Sequence, residues 1–223
     1  MSQVVDCSLF CDEHGPVESL LGPNPPPPVL FALKKLSLTF RVLHGGLWEY
    51  FAAPKLEDLT ITSLSDDDER AWDNDEFTSF RARSAFFALT TLRLQFDFTD
   101  DVDTMIELLQ GLCALDGLVL HWTTPRQEAS SDVKRLLHNL AFHPCHSLTL
   151  PKLRHIGVDA TADSLNMLWS RCPPKTGLAG VTLYERAPFD SETVFREEIE
   201  GLKRNGVRVE VEPMDFYGAH DVP

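Results

Sequence analysis

Lysine and arginine are missing from the start of this chain: the first is Lys34. A secretory leader needs a basic n-region and a transit peptide needs arginines, so neither is expected. Also missing is any run approaching the ~18 apolar residues of a membrane span. Cysteine is scarce and odd in number, five in 223 residues, which fits free thiols in a reducing compartment better than a disulfide framework. The expectation is a cytoplasmic or nuclear protein with no membrane contact. Basic residues are outnumbered, 20 Lys and Arg against 34 Asp and Glu, for a net charge of −14. Phosphate contact needs clustered cations, so nucleic acid is not an expected partner and a basic protein is a natural one. Catalytic signatures are absent as well. No Gly-x-Ser-x-Gly, His-Glu-x-x-His, Gly-x-Gly-x-x-Gly or phosphate loop occurs, so neither an enzyme nor a cofactor is expected.

What is present divides the chain into unequal parts. Residues 1–28 carry Asp6, Asp12, Glu13 and Glu18, no cation, and the run Pro23-Asn24-Pro25-Pro26-Pro27-Pro28. Consecutive prolines fix φ and remove amide donors, so the segment reads as an acidic, disordered tail and spacer. Its other reading, a ligand for a polyproline-binding domain, lacks a flanking basic anchor. Residues 214–223 read as a frayed tail.

Between them, over residues 29–213, one phrase recurs. Leu33-Lys-Lys-Leu36-Ser-Leu38 has the form Leu-x-x-Leu-x-Leu and returns at Leu56–Ile61, Leu89–Leu94, Leu115–Leu120 and Leu153–Val158. A looser copy is Leu178–Leu183, and Val207-Arg-Val209-Glu-Val211 reads as a closing strand. First-leucine spacings are 23, 33, 26, 38 and 25 residues. In a strand, alternate side chains face opposite ways, so the last two apolar positions enter the core and their neighbours face out. The first leucine closes the layer from the preceding turn. Apolar residues at helical spacing fill the gaps at Asp101–Cys113, Ser131–His143, Thr161–Arg171 and Asp190–Lys203, the last closed by Asn205-Gly206. Residues 41–53, with Gly45-Gly46, support only a short or broken helix. The expected fold is therefore α/β: an irregular solenoid of six or seven strands in an open parallel sheet, with helices on the convex side.

These phrases resemble the leucine-rich-repeat region of F-box proteins, especially the fungal-type families. So do Leu165-Asn-Met-Leu-Trp169-Ser-Arg-Cys-Pro and Leu202-Lys-Arg-Asn-Gly206-Val-Arg-Val-Glu-Val. The likeness spans roughly residues 29–213. It implies a substrate-binding half whose partner is a protein held on the concave face. In that family an F-box with a leading Leu-Pro and three short helices recruits a cullin–RING ligase adaptor. Residues 1–33 show no such segment, so the adaptor is an expected partner only if an F-box is supplied elsewhere.

The outward strand positions supply the candidate binding residues. Arg93, Gln95, Asp97, His121, His155, Asp159 and Tyr184 stand out among small polar neighbours such as Ser37, Thr60 and Thr182. His155 and Asp159 share a strand face and can pair across it, which makes the neighbourhood of His155, Asp159 and Tyr184 the last-ranked place for hydrolysis. Trp122 either extends this face or packs at its edge. The second candidate is an acidic insertion near residues 63–80, holding Asp66, Asp67, Asp68, Glu69, Trp72, Asp73, Asp75, Glu76 and Phe77. From Glu57 to Glu76, one arginine against nine carboxylates leaves −8, over half the formal charge. It reads as a solvated loop or as an acidic docking motif for a basic protein, which would make the chain a stoichiometric inhibitor or scaffold. EF-hand spacing fails there, with no glycine sixth and no glutamate twelfth. The sets Cys7/Cys11/His14 and His138/His143/Cys145/His146 fit no zinc pattern well, so no metal site is expected.

Overall fold

The structure, a computed structural model, describes residues 4–11, 29–40, 48, 51–63, 74–84, 86–95, 102–122, 131–143, 150–185 and 192–213. Eight strands form one all-parallel sheet in strict chain order: β1 (Asp6–Cys11), β2 (Lys35–Phe40), β3 (Asp58–Ser63), β4 (Thr91–Gln95), β5 (Gly117–His121), β6 (His155–Asp159), β7 (Gly180–Glu185) and β8 (Arg208–Pro213). Among the described residues five helices follow successive strands: α1 (Asn74–Ser84) after β3, then α2 (Val102–Gln110), α3 (Ser131–Leu140), α4 (Ala162–Arg171) and α5 (Glu192–Arg204). Among the described residues no helix is long and apolar enough to cross a membrane.

Each phrase does what its spacing dictates. The leading leucines Leu33, Leu56, Leu89, Leu115, Leu153 and Leu178 are all buried, and the amides of the first five close turns onto carbonyls three residues back. The two apolar strand positions that follow join the buried faces of the helices in a single core, for example Leu92 and Leu94 with Met105 and Leu109. Full burial of one such side chain stabilises by about 1.5–3 kcal/mol. The helices therefore lie on one face of the sheet, and the alternate strand positions form the other.

A backbone device sets the register from unit to unit. From β1 to β6, the carbonyl just before each strand accepts the two amides that open the next, and the carbonyl before β7, of Ala179, accepts the Arg208 amide alone. Val5 takes Lys34 and Lys35 at 2.9 and 3.1 Å, Lys34 takes Glu57 and Asp58 at 2.8 and 2.9 Å, and Arg154 takes Ala179 and Gly180 at 2.7 and 3.0 Å. Because these bonds fix where each strand starts against the one before it, residues at equal distance from the start fall opposite one another across the sheet. Helix ends follow local chemistry. Thr161 caps α4, its hydroxyl accepting the Ser164 amide at 3.1 Å, and Gly206 after α5 takes φ +85°, a backbone conformation that a side chain disfavours.

Three expectations need correction. The strands number eight, not six or seven, because Asp6–Cys11, read as part of a disordered tail, pairs in parallel with Lys35–Phe40. Residues 12–28 and 214–223 lie outside the described residues. The segment 63–80, read as an acidic insertion, carries part of α1. Its Phe77 is not a docking residue: Phe77 and Phe80 are buried in an aromatic cluster with Trp48, Phe51 and Phe86, at centroid distances of 5.0–6.1 Å. Burying two rings against three others outweighs the polar character of the rest of the helix.

Candidate functional site

Three rows of side chains cross the face that carries no helix. The first runs Asp6, Lys35, Asp58, Thr91, Gly117, His155, Gly180, Arg208, and the second Ser8, Ser37, Thr60, Arg93, Val119, Gly157, Thr182, Glu210. The third, at the strand ends, holds Thr62, Gln95 and His121 on β3–β5 and Asp159, Tyr184 and Glu212 on β6–β8. Four of the candidate residues, Gln95, His121, Asp159 and Tyr184, thus come together in the third row. Arg93 sits one row down and His155 at the opposite end of β6, about 13 Å from Asp159 along the strand.

That distance corrects the expected pairing. His155 faces Asp116, Nδ1 to Oδ2 at 3.4 Å, while Asp159 pairs with His121, Nε2 to Oδ1 at 3.6 Å. A side chain on a strand reaches its lateral neighbour about 4.8 Å away far more readily than one four residues along its own strand. Asp159 is 1% exposed, a buried carboxylate flanked by two rings. The Tyr184 ring meets His121 edge to face at 5.4 Å. Burial pushes the Tyr184 phenol up, Glu212 and Asp159 add to this, and Arg93 opposes it, so the hydroxyl remains a hydrogen-bond donor. Gln95 Oε1 accepts from the Thr62 hydroxyl at 2.9 Å, and Arg93 Nη1 pairs with Asp58 at 3.2 Å.

No family model, curated protein or solved structure matches this chain.

The floor of the face is cut by glycine. Gly117, Gly157 and Gly180 stand on three adjacent strands, between the longer side chains of β4 and β8, and leave a trough of about 490 Å³. Two of them lie under rings: a Cβ on Gly180 would fall 2.8 Å from the His155 ring, and one on Gly157 would meet Tyr184 and Val119 at 3.1–3.2 Å. Over Gly117 no ring intrudes, and a Cβ there would be in ordinary contact with Thr91 alone, the nearest atom being its Cγ2 at 3.7 Å. These glycines were readable in the sequence only as positions without a side chain; strand register turns them into a trough.

The other candidates divide. Asp97 and the acidic residues Asp66, Asp67, Asp68, Glu69, Trp72 and Asp73 lie outside the described residues. Asp75 and Glu76 fall on the first turn of α1, in a helix and not in a loop. Trp122 is buried in the core at 5% exposure, so it packs and does not extend the face. Cys7 and Cys11 lie four residues apart on β1, roughly 13 Å, too far to share a metal ion. The His138 and His143 rings are 4.8 Å apart, with Cys145 and His146 outside the described residues. Among the described residues no group of three or more His, Cys, Asp or Glu side chains is placed so that it could hold a metal ion.

Proposed function

We propose that this chain is a non-catalytic protein-interaction module, of the kind the leucine-rich-repeat half of F-box proteins represents, holding a protein partner on the helix-free face of its sheet. The observation that carries this reading is the row geometry. Eight strands in one register display small polar side chains, interrupted by Arg93, His121, His155 and Tyr184, over a glycine-cut trough. Such a surface offers many weak hydrogen-bonding sites and a fixed shape, which suits a chain laid across it. Engagement of a cullin–RING ligase would require an F-box supplied with this module.

Photo-crosslinking tests the reading directly. A crosslinking amino acid at Thr60 or Thr182 on the open face should capture a protein partner in cells, whereas the same group at Lys134 on α3 should not. Crosslinks confined to the helix side, or equal at all three positions, would sink it. Ligase subunits among proteins retained with the module would tie it to ubiquitin transfer.

A further inference from the structure

The trough narrows the chemistry of that partner. Its own carboxylates are already committed, Asp116 to His155 at 3.4 Å and Glu210 to Arg208 at 2.5 Å, and Arg93 on its wall pairs with the neighbouring Asp58 at 3.2 Å. A guanidinium carries five N–H donors in a planar fork, and one carboxylate partner leaves others to spare. Arg93 and Arg208 both line the trough, one on each wall. Between them stand the Tyr184 phenol, held in its donor form, and the Thr182 hydroxyl, with the Thr91 hydroxyl on the same wall as Arg93. The lining is therefore rich in donors, and what it takes must bring acceptors. Four strand spacings separate β4 from β8, about 19 Å, which an extended chain covers with roughly six residues. A small anion cannot touch both walls. A basic peptide would meet two guanidinium groups. Gly117 lies in the floor between the β4 wall and the His155 ring over Gly180, and a Cβ there meets only Thr91, at 3.7 Å, so a ligand side chain fits at that point.

We propose that the trough binds an extended acidic peptide segment of about six residues, crossing β4 to β8 with one carboxylate on Arg93 and a second on Arg208. This rests on the interaction reading above and specifies its ligand.

A random octapeptide library displayed on phage, selected against the full chain, supplies the probe. The enriched pool should carry two Asp or Glu residues roughly four to six positions apart. A synthetic peptide from that pool, followed by fluorescence polarisation, should lose roughly tenfold or more in affinity with Arg93→Gln and again with Arg208→Gln. It should lose all measurable binding with Gly117→Ile, which fills the open point of the floor. Both arginines are substantially exposed, so their replacement leaves the core untouched, and circular dichroism of the three variants checks that the fold is retained. Enrichment of basic or wholly apolar peptides overturns the acidic ligand, as does no enrichment over an unrelated immobilised protein. If such peptides are still lost with Gly117→Ile, the face remains a docking surface and only its ligand is wrong. If binding ignores all three substitutions, the helix-free face itself is not the site.

Discussion

Replacing Phe80 with alanine asks whether the segment after β3 belongs to the core or to solvent. Phe80 is fully buried, and its ring lies 5.0 Å from Trp48, 5.0 Å from Phe51 and 5.3 Å from Phe86. Removing it forfeits the transfer free energy of an aromatic side chain and leaves a cavity that four neighbouring aromatic rings can only partly close. Such truncations cost about 3–5 kcal/mol. At about 2–4 °C per kcal/mol for a chain of this size, the melting temperature should fall by roughly 6–20 °C. Phe87, one turn beyond α1 and 87% exposed, is the internal control, and its alanine variant should stay within about 0.5 kcal/mol of the wild type. Urea titration followed by far-ultraviolet circular dichroism measures both. In a stack whose strands touch chiefly their neighbours, the damage can remain local, so amide exchange over residues 74–84 should accompany the melt. If Phe80→Ala matched Phe87→Ala in both measurements, α1 would not be part of the core and the solvated-insertion reading of residues 63–80 would stand.

A double-mutant cycle on His121→Ala and Asp159→Ala should return a coupling of about 0.5–3 kcal/mol, since a buried carboxylate left without its imidazole is uncompensated; strict additivity would refute the pairing. The raised Tyr184 pKa means that the fold favours the protonated phenol, so its contribution is fully present below about pH 10 and is lost as pH rises through the higher folded value. Urea midpoints measured across that range should show less alkaline loss in Tyr184→Phe than in the wild type, and identical curves would contradict the assignment. Cys172 is buried, which pushes its thiol up against the opposing charge of Lys175, while Cys113 is exposed. Iodoacetamide on the native chain should therefore modify Cys113 well before Cys172, with the difference vanishing in denaturant; equal native rates would show that Cys172 is accessible.

Seven strands were legible, six from leucine spacing, which determines which positions face inward, and the last from the alternation of Val207, Val209 and Val211, and the four helices with a clear apolar stripe began and ended within about three residues of expectation. Two elements were missed for specific reasons. In β1 the phrase survives only as Val4-Val5-Asp6-Cys7-Ser8-Leu9, with valine and cysteine where other units carry leucine, beside a proline run that dominates the composition. In α1 the inward positions are Phe77, Phe80 and Ser84, and the last is inward because its hydroxyl accepts the Ala53 amide at 3.0 Å, a contact no hydrophobic pattern contains. The site was legible as a set of outward positions but not as pairs. His121 and Asp159 meet because β5 and β6 are adjacent and in register across a long connection, and His155 goes to Asp116 for the same reason.

The net charge of −14 and the trough therefore act at different ranges. Over half of that charge falls between Glu57 and Glu76 in the sequence, and one of those carboxylates, Asp58, is already paired with Arg93 of the trough. At physiological ionic strength the field of an exposed charge decays over about 8 Å, so a bound ligand senses chiefly the groups it touches, whereas an approaching one senses the summed charge of the surface. A docked segment senses Arg93, Arg208, Tyr184 and the threonine hydroxyls at hydrogen-bond range, where screening is weak. The global charge thus governs how fast a partner arrives and the donors of the trough govern how long it stays. An acidic ligand is slowed at long range and held at short range, so its selection depends on the fit across the two arginines, not on bulk attraction.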